Sequence, residues 1–310
     1  MKRALVTGGA GFIGSHLVEG LLARGYEARV LDNFATGKRE NLAAVADKIE
    51  LLEGDVRNLT TVRTALRKVD VVFHEAALPS VERSVKNPLE SNEVNITGTL
   101  NVLLAARDAG VQRVVFAASS AAYGNSLVLP KEETMTPEPL SPYAISKLAA
   151  EQYTRIFHDL YGLSTVSLRY FNVFGPRQDP TTQYAGVIAK FMTCALEGTP
   201  FPVFGDGEQS RDFTYVANVV DANLLAAEAQ LDGAPLMNIA YGQRASLNQI
   251  IDMLNELTHQ NLPAQYGPER AGDVRHSHAS LQRAKEILGY APKVDLLEGL
   301  RRTLEWYRGK

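Results

Sequence analysis

A single cysteine, Cys194, occurs in the chain. One thiol excludes an internal disulfide and any cysteine-cluster metal site. Blocks of like charge are missing as well, and the formal net charge is only -3 over 310 residues. That leaves no basic groove for nucleic acid and no polybasic patch for a membrane surface. No apolar stretch is long enough to span a bilayer. Met1-Lys2-Arg3 runs straight into Ala4-Leu5-Val6-Thr7-Gly8, an apolar run too short for a signal peptide and stopped by glycine. The cytoplasm is therefore the expected compartment. His276 and His278 stand two apart, as on extended backbone, with no third ligand nearby, so no metal is expected. The remaining composition, 45% hydrophobic and 22% charged, suits a globular protein of one large or two modest domains.

Glycine is placed where it carries information. Arg3–Thr7 has the pattern of a short buried strand and runs into Gly8-Gly9-Ala10-Gly11-Phe12-Ile13-Gly14. Phe12, Ile13, Leu17, Val18, Leu21 and Leu22 then recur at helical spacing until Gly25. Strand, glycine turn and helix is the context of a dinucleotide-binding turn: Gly8, Gly11 and Gly14 let backbone approach a pyrophosphate, and the helix N-terminus offers free N–H groups. The spacing is G-x-x-G-x-x-G, not the commoner G-x-G-x-x-G. The next strand, Glu27–Asp32, ends in an acid about 20 residues beyond the turn, where a carboxylate accepts from adenosine ribose hydroxyls. An acid there repels a 2′-phosphate and favours NAD over NADP; Lys38 and Arg39 read as loop surface.

Strands and helices then alternate. Residues 49–55, 69–74, 111–118 and 163–168 are apolar runs of strand length, with helical patterns at 60–68 and 88–109. This alternation predicts an α/β fold: a Rossmann-type doubly wound parallel sheet covered on both faces. Ligands in such sheets lie beyond the carboxyl ends of the strands, where Asp55, Ala76, Ala77, Ser119 and Ser120 fall. His74 reads as a buried packing histidine, and Cys194, inside the helical pattern 187–196, as core.

Ser141-Pro142 then opens a helix as N-cap and first residue. Tyr143 and Lys147 stand four apart on one face, which brings an ammonium close to a phenol. A neighbouring cation favours the phenolate, and a fall of about 3 pKa units, ~4 kcal/mol, would make a competent base. Seen alone, Y-x-x-x-K reads as an exposed pair; the nucleotide turn upstream changes that reading.

Together, Thr7–Gly14, Asp32-Asn33, Asp55-Val56, His74-Glu-Ala-Ala77, Asn95, Ser119 and Tyr143-x-x-x-Lys147 resemble the extended short-chain dehydrogenase/reductase family, and within it the nucleotide-sugar 4-epimerases, closest to those acting on UDP-N-acetylglucosamine. The match runs from Arg3 to the C-terminal helical pattern. The resemblance implies Ser119 as catalytic hydroxyl, Tyr143 as acid/base, and Lys147 as the group that tunes it and holds the nicotinamide ribose. It implies NAD contacts from Phe12, Ile13, Asp32, Asn33, Asp55, Val56, Ala76, Ala77, Asn95 and Phe171. Dehydratases of the family carry an Asp-Glu pair after the catalytic hydroxyl; Ser120-Ala121 stands there instead. Non-catalytic relatives that sense NAD lack the Tyr/Lys pair.

The second half carries the implied substrate side. Residues 213–229 read as a helix and 236–240 as a last strand, both returning to the sheet; further helices are expected near 246–258, 280–288 and 295–308. The expected division is an NAD-binding domain of 1–168 plus 212–242 and a smaller, mostly helical UDP-sugar domain of 169–211 plus 243–310. By resemblance, Asn172, Arg211, Arg270 and Asp273 hold the UDP diphosphate, with Ser119 and Ser120 beside the sugar. Arginine suits that clamp because its planar fork binds phosphate oxygens in pairs. The same resemblance implies a gatekeeper seven residues after the clamp arginine, beside the hexose C2 substituent; here that position is Ser277, small enough to admit an N-acetyl group. The expectation is UDP-GlcNAc/UDP-GalNAc interconversion, with UDP-glucose or UDP-glucuronate 4-epimerisation and a non-catalytic sensor as alternatives. The helical patterns at 88–109 and 142–161 are expected to pair across a two-fold as a four-helix homodimer, unless the same faces are covered within the chain.

Overall fold

A computed structural model of the chain describes residues 1–180, 186–269 and 275–309. Arg3–Thr7 (β1), Phe12–Ala23 (α1), Glu27–Asp32 (β2), Ile49–Glu53 (β3), Leu59–Ala65 (α2) and Val71–His74 (β4) come first. Val81–Lys86 (α3), Pro88–Asn92 (α4), Gly98–Ala109 (α5), Arg113–Ser119 (β5), Pro142–Tyr161 (α6) and Thr165–Tyr170 (β6) follow. Next are Val173–Phe174 (β7), Val187–Glu197 (α7), Phe201–Phe204 (β8), Ser210–Arg211 (β9), Thr214–Tyr215 (β10) and Val216–Glu228 (α8). Leu236–Ile239 (β11), Ala245–Ser246 (β12), Leu247–Thr258 (α9), Ala264–Gly267 (β13), Gln282–Leu288 (α10) and Leu296–Arg308 (α11) complete the chain.

The main sheet is seven-stranded and parallel, in the order β11-β6-β5-β4-β1-β2-β3. Alternation along β1 explains its all-apolar sequence. Ala4 and Val6 enter a cluster with Leu17, Val18 and Leu21 of α1 and Val219 of α8. Leu5 faces the other way, among Val62 of α2 and Val102 and Leu103 of α5. Both faces are thus covered, as the continuous apolar runs require. A third cluster, built from Phe174, Phe191, Phe201, Ile250, Leu254 and Leu300, lies among α7, α9 and α11. Because β1 sits between β2 and β4, the winding reverses there and leaves a crevice at the carboxyl ends of the strands. Among the described residues, no helix is long and apolar enough to cross a membrane.

Several elements differ from expectation in their bounds, and for four of them the reason is local. The strand expected at 163–168 is displaced to Thr165–Tyr170, because Arg169 stays in the sheet with its charge met by Glu151 of α6. The helix expected over 88–109 is split by a π-helical turn, Glu93–Thr97, where buried Asn95 bonds to Leu78 and Ser146. The helix expected from 213 begins at Val216, because Thr214 and Tyr215 pair with β7. The helix expected over 60–68 ends at Ala65, whose carbonyl accepts from buried Arg29, as does that of Arg67.

Candidate active site

A cleft of about 1170 Å³ opens along the carboxyl ends of the strands. It exceeds the roughly 300–1,000 Å³ usual for one small ligand. Gly8, Gly11, Phe12, Ile13 and Gly14 line one end. Gly8 has φ +72°, and a Cβ there would sit 2.7 Å from the Ala76 nitrogen. A Cβ on Gly14 would lie 2.2 Å from the Gly8 carbonyl oxygen, so these glycines let α1 start directly on the turn. The α1 N-terminus has no side-chain cap and no acid in its first turn. Uncapped N–H groups and an unopposed helix dipole suit a pyrophosphate.

Asp32 closes β2 beside that turn. Its carboxylate accepts from the Ala10 nitrogen at 2.9 Å and the Phe34 nitrogen at 2.8 Å, which fixes its orientation and leaves acceptor capacity over. Burial pushes its pKa up, opposed by those N–H groups. Asn33 donates to Asp55 at 2.8 Å, and Arg57 holds the Asp55 carboxyl down at about 2. The two nearby cations are already engaged. Lys38 pairs with Asp179 at 2.6 Å, while Arg39 pairs with Glu53 and lies 4.1 Å from the Phe34 ring centroid. Val56, Ala76, Ala77 and Phe171 also line the cleft. These features fit an NAD dinucleotide. Asn95 is set behind the wall instead, with its amide spent on Leu78 and Ser146.

Ser119, Tyr143 and Lys147 come together at the middle of the cleft. Ser141 caps α6 by accepting from the Ala144 nitrogen at 3.1 Å, with Pro142 in its first turn. That starts the helix so that Tyr143 and Lys147 face β5. The Ser119 side chain favours the phenolate form of Tyr143 across the cleft. The Lys147 ammonium donates to the Ala117 carbonyl at 2.7 Å and lies 5.0 Å from the Phe116 ring centroid. Burial pushes the phenol up, and the Ser119 contact only partly offsets it. The lowering by Lys147 expected from the helical spacing is thus not what this geometry produces, because the strand carbonyl, not the phenol, takes the ammonium.

On the far side, Ser120, Asn172, Arg211 and Ser277 line the same cleft. Ser277 donates its backbone N–H to the Ser210 carbonyl at 3.0 Å, which sets it beside Arg211. Arg270 and Asp273 lie outside the described residues. His276 bonds Ser210 at 2.8 Å and His278 bonds the Gly242 carbonyl at 3.1 Å. His74, buried on β4, bonds Thr7 at 2.7 Å and Thr99 at 2.9 Å. Burial, with the nearby Lys147 charge, holds its pKa down at about 3, so it is a neutral packing group.

Among the cleft residues that escaped the sequence reading, one carries a charge next to the catalytic centre. Glu75, directly after β4, lies on the cleft wall and accepts from the Tyr170 hydroxyl at 2.8 Å. An acid in the run His74-Glu-Ala-Ala77, at the carboxyl end of a buried strand, was the available signal.

The comparisons with known proteins agree with this architecture. The chain is 39% identical over 312 residues to a UDP-glucose 4-epimerase of Mycolicibacterium smegmatis, covering 99% of both. It superposes on a UDP-glucose 4-epimerase of Thermotoga maritima, solved with UDP-glucose, with TM-score 0.94, 42% identity and 99% of both chains covered. A UDP-N-acetylglucosamine 4-epimerase of Methanobrevibacter ruminantium, in complex with UDP-N-acetylmuramic acid, matches with TM-score 0.95 and 38% identity over 99% of this chain and 98% of that one. Residues 4–240 match the model of the NAD dependent epimerase/dehydratase family, and the chain belongs to that family.

Proposed function

We propose that this protein is an NAD-dependent UDP-sugar 4-epimerase whose preferred pair is UDP-GlcNAc and UDP-GalNAc. The observation that carries the reading is the meeting of Ser119, Tyr143 and Lys147 in one cleft, between a dinucleotide-binding turn and a wall bearing Arg211 and Ser277. Gly8, Gly11, Phe12, Ile13 and Gly14 would hold the pyrophosphate, and Asp32 and Asn33 the adenosine ribose. Bound there, NAD supplies a reversible acceptor for the C4 hydride and adds a positive charge to the cleft.

The chain's own groups handle the protons and the orientation. Tyr143, once its phenol proton has passed to solvent, takes the proton of the sugar 4-hydroxyl as a phenolate, while Ser119, which favours that phenolate, holds the same sugar oxygen. Arg211 and Asn172 anchor the diphosphate, so that the 4-keto sugar can turn about its phosphate linkage without leaving. Tyr143 then returns the proton from the same position to the inverted C4 oxygen. One group serves as base and acid in turn, so no net proton is taken up or released in the cycle.

The short Ser277 side chain supports the acetylated sugars; the UDP-glucose 4-epimerases among the relatives support UDP-glucose as the second reading. Ile145 (54% exposed) and Leu160 (68%) on α6, with Leu89 (76%) on α4, leave an apolar face open. We assign it to a homodimer in which helices of two copies form a four-helix bundle, in the cytoplasm, where a lone thiol stays reduced. The test is to follow UDP-GlcNAc with purified protein by proton NMR, without added reductant. UDP-GalNAc is the expected product. Conversion of UDP-glucose alone would overturn the role of Ser277, and no reaction with UDP-GlcNAc, UDP-glucose or UDP-glucuronate would favour a sensor.

A further inference from the structure

We infer that Glu75 is a positioning residue of the catalytic centre: as a carboxylate it keeps the buried Lys147 side chain in its ammonium form. The inference rests on the epimerase reading, in which Lys147 belongs to the site, but not on any particular sugar.

The register of the sheet brings the Glu75 backbone level with the strand carbonyl that holds Lys147, and both residues line the same cleft. β4 pairs with β5 through His74 and Phe116, so Glu75, one residue on, comes level with Ala117. The Ala117 carbonyl is the acceptor that holds the Lys147 ammonium at 2.7 Å. Lys147 is 5% exposed, and among the described residues it forms no ion pair. A buried ammonium with one neutral acceptor loses its proton readily unless an opposite charge stands near. Glu75 is that charge: each of the two acts electrostatically on the other.

The carboxylate is itself held in place. Asn223 of α8 donates to the Tyr170 hydroxyl at 2.8 Å, and that hydroxyl donates to Glu75 at 2.8 Å. A chain of two hydrogen bonds thus runs from α8 through the end of β6 to Glu75. Burial raises the Glu75 pKa and lowers that of Lys147, while their mutual attraction opposes both shifts. The other groups around the ammonium do not substitute for the carboxylate. His74 from β4 is neutral, Phe116 from β5 presents a ring face, and burial raises the pKa of the Tyr143 phenol from α6, which keeps it uncharged. Glu151, one turn further along α6, is consumed by Arg169.

The test is a direct titration of Lys147 by NMR of protein labelled at the lysine Cε, with Lys147→Arg identifying the resonance and no sugar present. Glu75→Gln keeps the shape and can still accept from Tyr170. It should lower the Lys147 midpoint by about one pH unit, a tenfold change in acid dissociation constant. It should move the alkaline limb of kcat down with it in the NAD-loaded enzyme. In the wild-type protein the Lys147 resonance should also sense a second ionisation, that of Glu75. Tyr170→Phe, which removes the bond favouring the carboxylate, should shift the lysine in the same direction by less. An unchanged midpoint in folded Glu75→Gln, or a single-step titration in the wild type where that variant does not fold, overturns the inference. Either result is read without turnover, so it is distinct from failure of the epimerase reading.

Discussion

Lys147 stands one helical turn beyond Tyr143, yet its ammonium is bonded to the Ala117 carbonyl at 2.7 Å. The side chain that favours the charged form of the phenol is Ser119 instead. Helix α6 is therefore pinned to β5 through its lysine, and Ser119, at the end of that same strand, lines the cleft with Tyr143. A four-residue spacing on a helix brings two side chains to one face, but whatever else lines that face decides which groups they bond.

Tyr143→Phe should cut kcat by about 10²- to 10⁴-fold, the range for a positioned proton-transfer group. Ser119→Ala should act in the same direction by less. Neither hydroxyl supports the core, so thermal unfolding and bound NAD content should match the wild type. Wild-type turnover by Tyr143→Phe would remove that residue as the base.

Ser277→Tyr should place a ring where the sugar C2 substituent is expected. Turnover of UDP-GlcNAc should fall more than turnover of UDP-glucose, read as the ratio of the two kcat/KM values. Equal losses on both sugars would show that Ser277 does not select between them.

The parts of this molecule that could be read from its residues are those where one physical signal dominates. Apolar strands covered on both faces, a glycine turn before a helix, and Ser141-Pro142 at a helix start are local patterns, and a doubly wound parallel sheet follows from their alternation, though its strand order does not. Arg169 shows where such reading stops. A charged residue ended the expected strand at Leu168, but Glu151, 18 positions earlier, neutralises it inside the sheet. Asn95 is similar: the family resemblance implied an NAD contact, while the fold spends its amide on bracing Leu78 against α6. Glu75 was missed because its significance depends on Ala117, a neighbour only through strand pairing.

Gly14→Ala should fail to form a normal nucleotide turn. The added methyl would lie 2.2 Å from the Gly8 oxygen and 2.9 Å from the Gly9 Cα, both backbone atoms that have nowhere to retreat. Loss of NAD binding by calorimetry, with reduced thermal stability, is expected. Gly110→Ala is the control: its Cβ meets nothing within 4 Å, so its only cost is the left-handed backbone at φ +67°.

Asp212 should make stability depend on pH in an unusual direction. Burial pushes its carboxyl up to about 6, although the Ala279, Gly242 and Tyr241 N–H groups donate to it. A folded-state pKa above the ordinary 3.8 means that the folded protein binds the proton more tightly than the unfolded chain. The associated stability is present below the unfolded value and is lost as pH rises through the folded one. The loss is about 3 kcal/mol for a shift of roughly two units. Urea unfolding across that window should show wild type losing this amount relative to Asp212→Asn, which does not titrate. Parallel pH profiles for the two proteins would contradict the assignment.

The buried pair between Arg169 and Glu151 should be the most sensitive electrostatic contact in the core. Arg169 donates from Nε at 2.8 Å and Nη2 at 2.7 Å, and its guanidinium carbon lies 4.5 Å from the Tyr123 ring centroid. Among the described residues its Nη1 atom has no hydrogen-bond partner, so the carboxylate supplies nearly all the compensation for burying the charge. Glu151→Ala strands the cation and should cost about 3–5 kcal/mol in chemical denaturation. Replacing both partners, as in Glu151→Leu with Arg169→Met, removes the desolvation cost together with the attraction and should recover most of that loss. If the double variant is as unstable as Glu151→Ala alone, shape rather than charge compensation holds β6 against α6 at this point.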